Sequence, residues 1–88
     1  MTLAILGTGG HAKSVYDIIK NKKKIYFFDE KQKFFKVGDK KFIVKNNFEL
    51  INKYKKKISK VIVTIGNNKD REKNFIILKQ NKFKLATL

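Results

Sequence analysis

Residues 3–19, LAILGTGGHAKSVYDII, run from an apolar stretch through three glycines, a histidine and a lysine into a helical pattern. Gly7, Gly9 and Ala12 occupy the three positions of a G-x-G-x-x-G/A fingerprint, directly after a strand and at the start of a helix. The three positions act differently. Gly7 admits the tight turn, Gly9 lets the backbone approach a diphosphate, and Ala12 keeps the helix close to the sheet. The N–H groups left unpaired at such a helix start, with the positive end of the helix dipole, form an anion site. A glycine turn needed only for tight strand-to-helix packing has the same pattern, so the motif alone leaves both readings open.

Other residues extend the anion reading. Lys13 offers a point charge to a phosphate. His11, at a helix amino terminus that disfavours the imidazolium, offers a hydrogen bond from a neutral ring. Both also suit solvated first-turn positions. Asp29 lies 17 residues beyond Ala12 at the end of a second apolar run, where an acid is expected to take a ribose hydroxyl. The loop GNNKDR, residues 66–71, follows a later strand and is expected at the same carboxyl edge, bringing Asn67, Asn68 and Arg71 to the ligand crevice. The alternative is that Asn67 or Asn68 caps the following helix while Arg71 pairs with Asp70 or Glu72.

The elements that must position these residues alternate along the chain. TLAILG (2–7) reads as a strand buried on both faces. From Gly10 to about Lys22, Ala12, Val15, Ile18 and Ile19 fall at helical spacing. KIYFFD (24–29) is a second strand stopped by an acid, and KFIV a short one after a turn at Gly38 and Asp39. Phe48, Ile51 and Tyr54 recur every third residue in a helix expected from Asn47 to about Lys57, with Asn46 or Asn47 as its cap. KVIVTIG (60–66) is the clearest strand, followed by an Asn-capped helix with Phe75 and Leu78 on one face and a final short KLATL. This order implies an α/β fold, a small Rossmann-like three-layer domain with a mostly parallel sheet of about four to five strands.

Eighty-eight residues make one small domain with room for little more than one mononucleotide-binding half. A nucleoside diphosphate or nucleotide sugar therefore fits better than NAD. The formal charge of +15 favours anionic partners, yet 21 of the 22 basic residues are Lys and only Arg71 is Arg, which argues against a nucleic-acid reader that needs bidentate contacts. The Lys, Asn, Ile and Phe bias matches what AT-rich codons impose. The lysine runs at 20–24 and 53–57 fall at helix ends, where the macrodipole favours them. Without cysteine and with one histidine, the chain lacks thiolate chemistry and multi-histidine metal sites. With no membrane span or leader-like segment, a soluble cytoplasmic protein is expected.

GTGGHAK after the first strand, FFDE closing the second and IGNNKDR after a later one resemble the amino-terminal domain of bacterial sugar O/N-acyltransferases of the NeuD/PglD type. These include sialic acid O-acetyltransferases and UDP-amino-sugar N-acetyltransferases. The resemblance covers essentially the whole chain and implies a Rossmann-like module that binds a nucleotide sugar, commonly UDP-linked. It places Gly9, Gly10 and His11 along the diphosphate, Asp29 and Lys31 near the nucleoside, and Asn67, Asn68 and Arg71 beside the diphosphate or sugar. Glu30 stands where many relatives have a second Asp, a departure that bears on the uridine preference.

In that family a left-handed β-helix of hexapeptide repeats builds the trimer, binds acetyl-CoA and supplies the catalytic histidine. No such repeat occurs in these 88 residues, and no residue makes a convincing acyl-transfer base. The resemblance thus implies one domain over 1–88 that binds substrate without catalysing alone, holds no cofactor itself and is a monomer or weak dimer in isolation. The rival expectations are a truncated NAD(P)-binding Rossmann domain and a small basic nucleic-acid-binding module.

Overall fold

The computed structural model describes residues 2–21 and 24–86. Three parallel strands form the central sheet in the order β2 (Lys24–Phe28), β1 (Thr2–Leu6), β5 (Lys60–Val63). Their side chains alternate between two cores. Leu3, Ile5, Phe27 and Ile62 face one side, and Ala4, Leu6, Phe28, Val61 and Val63 face the other. Both faces are covered, so these strands read as continuous apolar runs. Single parallel bridges at Lys45 beside β2 and Leu85 beside β5 extend the sheet by one position on each side. The expected small Rossmann-like α/β arrangement is therefore present, with three full strands in its parallel sheet.

Helix α1 (Gly10–Ile19) packs on the first face through Ala12, Val15, Tyr16 and Ile19. Tyr16 takes the place expected for Ile18, which is 66% exposed. The ring of Tyr16 meets Phe27, Phe35 and Phe42 at centroid separations of 6.2, 6.1 and 5.4 Å, an aromatic cluster that an isoleucine cannot reproduce. Two of those partners come from an antiparallel hairpin, β3 (Phe34–Val37) and β4 (Lys40–Ile43), separate from the main sheet. Gly38, at φ +58°, turns it through a two-residue loop. The helix stops at Ile19, and Lys22 and Lys23, part of the first lysine run, lie outside the described residues.

On the opposite face, Asn47 caps a 3₁₀ helix at Phe48–Tyr54 by accepting the Glu49 N–H at 2.8 Å. An α-helix is the expectation from sequence for this segment, and the structure corrects it. The recurrence of Phe48, Ile51 and Tyr54 at intervals of three matches the three residues per turn of a 3₁₀ helix better than 3.6, and it lays these residues against Phe28 and Tyr26. Helix α2 (Asn68–Gln80) closes the same face with Phe75 and Leu78. Of the final KLATL, Leu85 bridges to Val61, while Thr87 and Leu88 lie outside the described residues. Among the described residues no helix is long and apolar enough to cross a membrane.

The three parallel strands run in register: Leu6 is opposite both Phe28 and Val63. The glycine turn, Asp29 and the segment Thr64–Gly66 consequently leave the sheet at one level. The exchanged roles of Tyr16 and Ile18 can be checked by urea denaturation. Tyr16→Ala is expected to cost about 3–5 kcal/mol and Ile18→Ala about 0.5 kcal/mol or less.

Candidate functional site

The shared carboxyl edge opens into a cleft of about 570 Å³. Its floor is the turn after β1. Gly7 adopts φ +100°, and a Cβ there would lie 3.0 Å from the Ile65 nitrogen and 3.1 Å from the Thr64 carbonyl carbon. Glycine is thus required both for the positive φ and for the close approach of the neighbouring strand's end. Thr64, buried beside it, donates its hydroxyl to Gly7 O at 2.7 Å, and the Gly7 N–H reaches Phe28 O at 2.8 Å. A Cβ on Gly9 or Gly10 would meet nothing within 4 Å, so the cleft wall there is bare backbone.

Gly9 stands at the N-cap of α1 and supplies no side-chain cap, and the first turn carries no acid. The Ala12 N–H donates to Gly9 O at 3.1 Å, while among the described residues the N–H groups of Gly9, Gly10 and His11 find no partner. These are the donors that a helix start leaves for water or a ligand. The start of α2, on the same edge, carries a side-chain cap. Asn67 accepts the Asp70 N–H at 3.1 Å, and Asp70 itself lies in the first turn. Of the two helix starts here, α1 is the one with neither a side-chain cap nor a first-turn acid.

Asp29 ties β2 to the glycine turn. One carboxylate oxygen accepts the Thr8 N–H at 2.7 Å and the Thr8 hydroxyl at 3.0 Å; the other accepts the N–H groups of Lys31 at 2.8 Å and Gln32 at 3.3 Å. Partial burial opposes ionisation, but the donors from Lys31, Thr8 and Gln32 outweigh it and hold the carboxyl below its ordinary range. A carboxylate offers about four lone-pair directions, so this one is saturated by its own chain. Asn46 completes the loop by donating to Asp29 O at 3.3 Å and Gln32 O at 3.0 Å.

Of the residues singled out in the sequence, Gly7, Gly9, Gly10, His11, Asp29, Lys31 and Asn67 line the cleft together. Lys13, Asn68 and Arg71 are not in its wall. Arg71 is engaged with the Asn68 side-chain oxygen rather than with Asp70 or Glu72. The wall also holds residues that sequence reasoning passed over: Thr8, Gln32, Phe48, Glu49, Thr64 and, along α2, Asp70, Lys73, Asn74 and Ile77. The α2 set was open to detection, because positions 67, 70, 74 and 77 repeat at helical spacing. Phe48 and Glu49 open the helical segment expected after Asn47, but no local pattern announces that its start reaches the cleft.

Residues 2–78 match the family model of the PglD N-terminal domain. No curated protein and no solved structure matches the chain.

Three outcomes follow from this edge. Gly7→Ala is expected to lose about 1–3 kcal/mol of stability from strain, whereas Gly9→Ala, with open space before it, loses about 1 kcal/mol or less; both are read from urea midpoints. Asp29→Asn forfeits part of the Thr8 and loop hydrogen bonding and is expected to cost about 2 kcal/mol at neutral pH. Because the Asp29 carboxyl is held below the usual range near pH 4, its contribution is complete above about pH 4 and lost as pH falls through the folded-state value. The stability of Asp29→Asn should accordingly decline less steeply than that of the native chain over that acid window.

Proposed function

The chain belongs to the PglD N-terminal domain family, the amino-terminal domain of PglD-type acetyltransferases, and from that premise we propose that it binds a nucleotide sugar, specifically a UDP-amino sugar. The observation that carries this reading is the trio of unpartnered N–H groups on Gly9, Gly10 and His11 at the open start of α1, facing a cleft of about 570 Å³. That volume lies within the range of small-molecule sites. The diphosphate lies along these donors, with the His11 ring beside it. Lys31 stands at the nucleoside end, where Asp29 fixes its backbone. Asn67 retains its amide N–H₂ for the diphosphate or sugar. Lys13, Asn68 and Arg71 are outer residues in this reading, and Arg71 contributes once released from Asn68.

The charge of the cleft supports an amino sugar. The whole chain has seven acidic residues, and four of them, Asp29, Glu30, Glu49 and Asp70, line this one cleft beside Lys31 and Lys73. A simple polyanion has no use for that carboxylate set. A ligand carrying a diphosphate at one end and a protonated amine at the other matches both the bare helix start and the acids. In this assignment the domain presents substrate for acyl transfer in surface glycan or polysaccharide synthesis. The acetyl-CoA chemistry belongs to the family's acyltransferase domain.

Thermal melts test the assignment. UDP or a UDP-amino sugar at a hundredfold excess over Kd is expected to stabilise the chain by about 2.7 kcal/mol, a shift of order 10 °C for a domain of this size. NADH should give none. Gly9→Val should fold but lose the shift; a full shift in that variant removes the diphosphate assignment, and an NADH shift transfers the site to a dinucleotide.

A further inference from the structure

A second cavity lies at the other end of the sheet. Its volume is about 330 Å³, and Lys55, Lys82 and Lys84 surround it with Ile58, Ser59 and Phe83. Ser59 directly precedes β5 and donates its N–H to Thr2 O at 2.7 Å, so the cavity sits beside the amino-terminal ends of β1 and β5. The glycine turn lies beyond their carboxyl ends. Among the described residues no carboxylate lines the cavity, and the sequence has no acid between Glu49 and Asp70 or after Glu72.

These lysines are gathered from two separate segments. The Lys55 ammonium stands 5.6 Å from the centroid of the Phe83 ring, a cation–π contact that holds it over the apolar floor. Helix α2 ends in a Schellman arrangement, with the Phe83 N–H on Leu78 O at 2.9 Å and the Lys82 N–H on Lys79 O at 3.0 Å. Lys82 occupies the left-handed position of that motif at φ +62°, where glycine is strongly favoured. Attraction to a helix carboxyl end accounts for a lysine in the last turn and for Lys55 at the end of the 3₁₀ helix, but it does not call for lysine at the left-handed position, where glycine is favoured, or for Lys84 beyond it. Three like charges around one cavity repel one another, and a multivalent anion converts that repulsion into attraction.

We infer that this cavity binds a small multivalent phosphate anion of the pyrophosphate class through Lys55, Lys82, Lys84 and the Ser59 hydroxyl, independently of the cleft. The test is an NMR titration of the isotopically labelled chain with pyrophosphate at ionic strength held constant with sodium chloride. It is run on the native chain and on Gly9→Val, in which the cleft is obstructed. The amide signals of Ser59, Phe83 and Lys84 are expected to shift saturably in both. Lys82→Gly removes one charge and relieves the positive φ; without anion it should melt no lower than the native chain, yet bind pyrophosphate about fivefold more weakly. The double substitution Lys55→Gln with Lys84→Gln should abolish the saturable shifts. Shifts confined to Gly9–His11, undiminished affinity in Lys82→Gly, or an equal response to chloride alone would overturn the inference.

Discussion

The carboxylate of Asp29 accepting both the N–H and the hydroxyl of Thr8 is the contact on which the functional edge depends. Parallel pairing brings the ends of β1 and β2 to one level, but pairing stops at Leu6 and Phe28. Beyond that point the chain must turn sharply into α1, and the turn has two glycines and no side-chain cap to define it. Asp29 replaces the missing order. It fixes Thr8 from one oxygen and the loop after β2 from the other, while Thr64 pins Gly7 from the β5 side. The turn is thereby hydrogen-bonded from both neighbouring strands, and the N–H groups of Gly9, Gly10 and His11 are left open beside it. Donors held by a hydrogen-bonded turn suit anion recognition, because their orientation entropy is lost on folding and not on binding.

This arrangement also explains why an acid at the end of a second strand is an ambiguous signal. The spacing from Ala12 to Asp29 reads as a ribose-binding fingerprint, and the residue does stand at the cleft. Its lone pairs are already filled by Thr8, Lys31 and Gln32. The same position can serve the ligand or the turn, and what decides is the path of the backbone that turns the N–H groups of residues 8, 31 and 32 onto the carboxylate, together with the hydroxyl of residue 8. A threonine there supplies two donors aimed back at the strand end, which a glycine or alanine could not.

The element order and the parallel sheet are legible because they rest on local chemistry: apolar runs of four or five residues, glycine after the first strand, asparagine ahead of two helices. What is not legible depends on partners distant in sequence. Tyr16 displaces Ile18 from the core because the hairpin carries Phe35 and Phe42 onto α1. A spacing of three in Phe48, Ile51 and Tyr54 reads as helical while specifying the tighter 3₁₀ turn. Arg71 lies outside the cleft because the face of α2 that opens to it is set by Asn67, Asp70, Lys73, Asn74 and Ile77, and position 71 lies about a quarter-turn from the centre of that face, on the side away from Lys73.

The distribution of charge gives the last step. A chain of net +15 attracts any polyanion, and lysines spread over its surface make that attraction unspecific. For the proposed nucleotide-sugar ligand, selectivity must then come from a local feature that opposes the global field. Placing Glu30, Glu49 and Asp70 around the bare start of α1 does this. These carboxylates raise the cost of threading a continuous phosphate chain through the cleft, while the three free N–H groups remain available to donate to the one diphosphate of the proposed ligand. A ligand whose negative charge is confined to one segment, followed by a neutral or cationic group, avoids the repulsion that a nucleic-acid strand or a polyphosphate meets. Repulsive elements of this kind discriminate more sharply than added attraction, because added attraction would strengthen every anion alike. Under the proposed function the acids of the cleft and the lysines elsewhere act together: the lysines raise the local concentration of anions of all kinds, and the cleft favours a ligand whose charge ends where the carboxylates begin.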